Sequence, residues 1–181
     1  MTTRKVLTYP ENKEALRKKS EAVNNLNQHV QRLIRDLKDT LQAFPDGVGL
    51  SAPQINILKR VVIVCIGQEL NGQWTAGPTT ALINPVILSA EALRKDFDGC
   101  LSFPGLYGET VRPHNLRVAG LNENGKPFNV LYEGFNAVLV HHEIDHLDGV
   151  LFIDRIDSLS DLYTIHENEH GEMIRTPVTQ V

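Results

Sequence analysis

The segment FNAVLVHHEIDHL, residues 135–147, constrains the fold more than any other part of the chain. Phe135, Val138, Leu139, His142 and His146 recur at i, i+3, i+4, i+7 and i+11, the spacing of one face of an α-helix. The stripe that such a helix buries against a core therefore runs straight into two histidines. Gly149 predicts the stop. Four residues along a helix amount to about 6 Å of rise and about 40° of rotation, so His142 and His146 can grip one ion, with Glu143 beside the first. H-E-x-x-H on a helix is the pattern of a metal-activated hydrolase. The fold must bury this helix and still leave one position on the ion open to water.

The pattern occurs a second time, as His166, Glu167 and His170. The surrounding stretch, DSLSDLYTIHENEHGEMIRTPVTQV, has a weak apolar face and ends in a threonine-containing tail. The expectation there is a solvated polar helix end, with no metal. Residues 1–157 are accordingly read as a single catalytic domain and 158–181 as a partly helical C-terminal tail.

Two histidines leave a catalytic metal site one protein ligand short. Cys100 suits the vacancy: it lies in DGCLSFPG, read as a strand end where glycine permits close approach. Cys65 sits inside the apolar run RVVIVCIG and reads as a small buried hydrophobe. The N-terminus has no apolar segment of signal-peptide length, so a Cys65–Cys100 disulfide is not expected. No run approaches a membrane span. The 18 Lys and Arg against 22 Asp and Glu give a net charge of −4 with no dense basic stretch, which argues against a nucleic acid substrate. One domain is the prior for 181 residues.

Residues 26–44 place Leu26, Val30, Leu33, Leu37, Leu41 and Phe44 three or four apart, an amphipathic helix capped by the asparagines just before it and stopped by Pro45. A glycine-punctuated loop, PDGVGLSAPQ, follows. KRVVIVCIG reads as a buried strand and QELNGQW as a hairpin turning at Asn71-Gly72. TALINPVIL reads as a strand at an edge or bulge because of Pro85, and NLRVAGLNENGKPFNVLYEG as two strands around an Asn-Gly turn. Strands fill the middle and helices the ends, with no βαβ alternation. The class is α+β, mostly antiparallel sheet packed around a C-terminal metal-binding helix.

Together these stretches resemble the peptide deformylase family. That family carries a G-x-G-L-A-A-x-Q loop, an E-G-C-L-S strand edge and an H-E-x-D-H helix, in this order. Here they stand as GVGLSAPQ at 47–54, DGCLS at 98–102 and HEIDH at 142–146, and the resemblance runs from about residue 5 to residue 156. Ser51 stands for the usual alanine, a small-for-small change expected to cost nothing. Asp98 stands for the usual glutamate; being one methylene shorter, it is expected to shift or weaken any contact to a ligand.

The resemblance implies a cytoplasmic hydrolase that removes the N-terminal formyl group from the formyl-methionine of new polypeptides and releases formate. It implies one divalent metal, ferrous iron in the cell, with zinc, nickel or cobalt able to replace it, on Cys100, His142 and His146. Its partners are nascent formyl-methionyl peptides, with ribosome association in prospect. Within that reading Glu143 moves the proton, and the Gln54 side chain and the Leu101 backbone N–H donate to the developing oxyanion. The substrate is expected as an extended peptide along a sheet edge, with Gly49 and its loop as one wall. Its first side chain is expected in an apolar pocket of Val48, Phe135, Val138 and Leu139. Two rivals remain at this point. A metallopeptidase of another family would cut internal bonds, which formylated and acetylated peptides distinguish. A metal-holding domain that only binds nascent chains or ribosomes would need neither Glu143 nor Gln54.

Overall fold

The structure, a computed structural model, describes residues 2–70, 72–169 and 171–179. A short helix α1 (Lys13–Leu16) and a longer α2 (Gln28–Leu41) precede strands β1 (Gly49–Ser51), β2 (Val61–Cys65), β3 (Gln68–Leu70), β4 (Gln73–Thr75), β5 (Thr79–Gly99), β6 (Leu106–Leu121) and β7 (Pro127–Glu133). Helix α3 (Phe135–Leu147) follows, then β8 (Leu162–Glu167) and β9 (Met173–Pro177). A seven-stranded sheet runs β1-β2-β5-β6-β8-β9, with β7 also on β6, and β3-β4 form a separate hairpin. All of these strand pairs are antiparallel, so the α+β class expected from the sequence is the one observed.

Strand β2 explains the layering. Its residues are buried on both faces, and so it reads as an unbroken apolar run. Val61, Ile63 and Cys65 pack with Leu33, Leu37 and Leu41 of α2, whereas Val62 and Val64 pack with Leu139, Val140 and Ile144 of α3. The sheet at this end is thus sandwiched between the two helices. A third cluster, of Leu16, Phe103, Leu151, Phe152 and Leu162, fills the space beyond the C-terminal end of α3.

Several elements differ from the sequence expectation. Helix α2 begins at Gln28, and its cap is Asn27, whose side chain accepts from the N–H groups of His29 and Val30. Leu26 and the asparagines before it lie outside the helix. The loop after α2 contains β1 and a 3-10 turn over Ala52–Ile55. Pro85 marks a bulge in an interior strand: the β5–β6 register shifts between Ile83 and Val86, and Asn84 takes a φ of 49°. The β3–β4 hairpin turns at Gly72 with a φ of 76°; Asn71 lies outside the described residues. Strands β5 and β6 extend far beyond the stretches read as strand. Residues 91–97 of β5 are mostly exposed, so no apolar alternation announces them, and backbone pairing with β6 holds them.

The partly helical tail is corrected. Apart from one 3-10 turn at Leu159–Asp161, the described residues beyond 158 form the β8–β9 hairpin, which joins the main sheet through Leu106–Gly108 of β6. Thr164, Ile165, Ile174 and Thr176 are β-branched and suit a strand, and Leu162 and Tyr163 are buried as its anchor.

Candidate active site

Helix α3 is buried on every side, not on one stripe alone: all residues from Ala137 to Leu147 are inside. Its polar groups must therefore find partners within the protein. The central partner is Arg112 of β6, which is fully buried. Its Nε donates to Asp98 Oδ2 at 2.6 Å, and its Nη1 donates to Asp145 Oδ2 at 2.9 Å and to His141 Nδ1 at 2.7 Å. Arg155 adds a two-pronged contact to Asp145 at 2.7 and 3.0 Å. Two carboxylates and two guanidinium groups thus lock α3 to the long hairpin and to the segment after it.

The lock fixes the histidines. Asp98 Oδ1 lies 2.7 Å from His142 Nδ1. A carboxylate only accepts, so Nδ1 carries the proton and the Nε2 lone pair is left for another partner. Burial opposes charge on Asp98, but His142 and Arg112 outweigh it and hold the carboxyl far below its ordinary range. The shorter side chain of Asp98 thus reaches His142 and Arg112 at close range, and Thr110 Oγ1 donates to it at 2.9 Å.

One turn on, His146 Nε2 lies 3.2 Å from Cys100 Sγ. Burial, followed by the charge of His142, pushes His146 well below its usual pKa and keeps it neutral. Burial also lowers His142, but Asp98 overrides it and raises that ring well above its ordinary value. A cation on Nε2 would take the place of that extra proton. The ligand atoms of Cys100, His142 and His146 all lie within 4.8 Å of one another. One thiol and two imidazoles, buried or half-buried and with one ring oriented by a carboxylate, fit a divalent transition metal.

Glu143 stands beside this triangle. Burial pushes its carboxyl up to about 7, with His142 opposing and Asp98 reinforcing the rise. Its Oε2 is buried without a hydrogen-bond partner. Gly49 makes room for it: a Cβ there would lie 2.4 Å from Glu143 Oε1 and 2.8 Å from Leu139 Cδ1. Gln54, on the 3-10 turn after β1, directs its Nε2 at Ser102 Oγ (3.1 Å) and Cys100 Sγ (3.6 Å).

These groups open into a cavity of about 490 Å³. Val48, Gly49, Gln54, Leu101, Phe135, Val138, Leu139, His142 and Glu143 all line it, together with Cys100. The structure thus brings the sequence-predicted residues to one place; His146 lies behind Cys100. Sequence reasoning missed Arg112, and it missed Trp74, Phe97 and Tyr107 on the cavity wall. Trp74 packs edge-on against Phe135 at 4.9 Å, and Phe97 stacks on Tyr107 at 5.7 Å. The repeat of the motif is elsewhere: His166 and Glu167 are exposed on β8, and His170 lies outside the described residues. Among the described residues, Cys100, His142 and His146 form the one cluster able to hold a metal. Cys65 and Cys100 are both free thiols.

Comparison with known proteins agrees with this geometry. The polypeptide deformylase family matches residues 3–161. Peptide deformylase 1 of Bacillus subtilis strain 168 is 40% identical over 173 residues, which cover 96% of this chain and 99% of that protein. The crystal structure of a peptide deformylase from Legionella pneumophila superposes with a TM-score of 0.75 at 35% identity, covering 87% of this chain and 88% of that one. A peptide deformylase from Ehrlichia chaffeensis, solved in complex with actinonin, gives 0.77 at 31% identity over 87% of this chain and 91% of that one.

Proposed function

The chain belongs to the polypeptide deformylase family, and from that premise we infer how its own residues divide the work. The family reaction is hydrolytic and metal-dependent: it cleaves the formamide C–N bond of formyl-methionine on newly made polypeptides and releases formate. A peptidase of another kind and a mere metal-holding domain are both disfavoured by that membership.

We assign the metal to Cys100, His142 and His146, whose convergence within 4.8 Å is the observation that carries the reading. The bound ion supplies Lewis acidity, which sharpens water as a nucleophile and polarises the formyl carbonyl. We propose ferrous iron as the ion in the cell, with zinc, nickel or cobalt as replacements. Glu143 takes the proton from the attacking water and delivers it to the departing amine, a double task suited to a carboxyl raised to about 7. Oxygen from water joins the formyl carbon, the C–N bond breaks, and the proton ends on the peptide nitrogen. The Gln54 Nε2–H and the Leu101 backbone N–H hold the negative charge that builds on the carbonyl oxygen. All of these residues lie within 1–157.

The methionine side chain enters the apolar part of the cavity, between Val48 and the Phe135, Val138 and Leu139 face of α3. The peptide that follows runs beside Gly49 and β1, where a backbone without a Cβ can be approached closely. Among the described residues no helix is long and apolar enough to cross a membrane. We further propose a cytoplasmic enzyme that meets its substrate at the ribosome and does not act on nucleic acid. Formate release from formyl-Met-Ala-Ser, against an acetylated control and with metal content measured on anaerobically purified protein, tests the assignment. Turnover of the formylated peptide alone, with one ion per chain, supports it; equal turnover of both peptides defeats it.

A further inference from the structure

We propose that Ser51 is a positioning residue: its hydroxyl, together with its own backbone N–H, clamps Gln54 Oε1 and so turns the Gln54 amide nitrogen toward the reacting carbonyl. This rests on the assignment of Gln54 as an oxyanion donor and deepens it.

A side-chain amide can present its oxygen or its nitrogen to a site, and a half-turn exchanges the two. Only the nitrogen can stabilise an oxyanion. Which one faces the cavity is therefore decided by what holds the other end. Ser51 and Gln54 are both buried, at 0% and 1% exposure, so water does not settle the matter. Gln54 Oε1 accepts from Ser51 N at 2.9 Å and from Ser51 Oγ at 2.8 Å. At the far end, Gln54 Nε2 donates to Ser102 Oγ at 3.1 Å and faces Cys100 Sγ at 3.6 Å.

The Gln54 side chain thereby caps the backbone N–H of Ser51 at the start of the 3-10 turn. The single proton of the Ser51 hydroxyl is directed to Oε1 at 2.8 Å. Glu143 also feels that hydroxyl, which draws its carboxyl down against the larger rise from burial. A flipped amide would place its two N–H groups against the Ser51 N–H and would strand that donor in a dry site, which costs more than an ordinary hydrogen bond returns. Alanine, the residue the family resemblance puts at this position, retains the N–H and loses the hydroxyl. The backbone N–H, which only donates, sets the sense of the amide, and the serine hydroxyl adds a second hydrogen bond that tightens its hold.

The test is a double-mutant cycle on the metal-loaded enzyme: wild type, Ser51→Ala, Gln54→Ala and the pair. Ser51→Ala is expected to lower kcat by about threefold to tenfold, the size of one buried hydrogen bond, with KM within about twofold. The same change made on Gln54→Ala should cost nothing further, because the group it orients is gone. The second readout is independent of turnover. In proton–nitrogen spectra of the zinc-loaded enzyme, the two Gln54 side-chain protons should be well separated and slow to exchange in wild type. In Ser51→Ala they should draw together and exchange faster. Additive losses in the cycle, or an unchanged Gln54 signal, would overturn the role of Ser51 while leaving Gln54 in place. If Gln54→Ala itself leaves kcat within about twofold of wild type, the oxyanion assignment and this inference fail together.

Discussion

The chain writes H-E-x-x-H twice, and the two copies share no physics. The first, at 142–146, lies on a helix buried on all sides, where i and i+4 stack on one face. The second begins on β8, where His166 and Glu167 follow each other along a strand and so point to opposite sides of the sheet. The first copy, through its own His142 and Asp145, is bound to Asp98, Arg112 and Arg155 by contacts of 2.7 to 3.0 Å. In the second, His166 and Glu167 are exposed. A motif names chemistry only when its backbone brings the spacing together and its surroundings are dry enough to fix the rings.

The comparison breaks most severely at the first histidine. His142→Ala leaves two protein ligands, and we expect loss of essentially all metal and all formate release, measured by elemental analysis and single-time-point assay. Full activity in that variant would remove the helix from the chemistry.

Glu143→Gln separates holding the ion from using it. The side chain keeps its volume beside Gly49 but loses its proton-carrying capacity. Metal should stay at one ion per chain while kcat falls about 10²- to 10⁴-fold.

Arg112→Met probes the network that holds the first copy. Removing the cation that Asp98 and Asp145 share leaves Asp98 with His142 and Thr110 and Asp145 with Arg155, and breaking such a buried charge cluster typically costs about 3–5 kcal/mol. Denaturant unfolding should show a loss of that order, with metal affinity reduced by about 10- to 100-fold through the disturbed His142. A change confined to within about 0.5 kcal/mol would mean that the helix is held by packing alone.

At the small end, His166→Ala combined with Glu167→Ala should leave metal content and formate release as in wild type, with stability within about 0.5 kcal/mol, because both side chains are exposed on the hairpin. Loss of an ion in this variant would mean that the wrong copy has been chosen.

What could be read without coordinates follows from range. Helix α3 and strand β2 announce themselves because their signal is local: a 3.6-residue stripe in one case, an unbroken apolar run in the other. The convergence of Cys100, His142 and His146 is legible because the three short motifs each carry unusual residues in order. Arg112 was not, since a lone arginine in TVRPHN looks like any surface cation until β6 carries it beneath α3. The second half of β5 was hidden because its side chains are exposed and its strand character comes from its neighbour. The tail reads as a polar helix end because its apolar face is weak, and the alternation around Ile165 and Ile174 is too short to announce strands. Its stability comes from pairing with Leu106–Gly108, more than fifty positions away in sequence. Nothing in the sequence announces that the Ser51 hydroxyl donates to the amide oxygen of Gln54.

The most direct test of the metal assignment is the optical spectrum of cobalt-substituted protein, since a cysteine on cobalt adds an intense sulfur-to-metal charge-transfer band in the near ultraviolet. The account predicts that band in wild type, in Cys65→Ser and in the tail double variant, and its disappearance in Cys100→Ser. Persistence of the band in Cys100→Ser, or its loss when His166 and Glu167 are removed, would contradict the central claim.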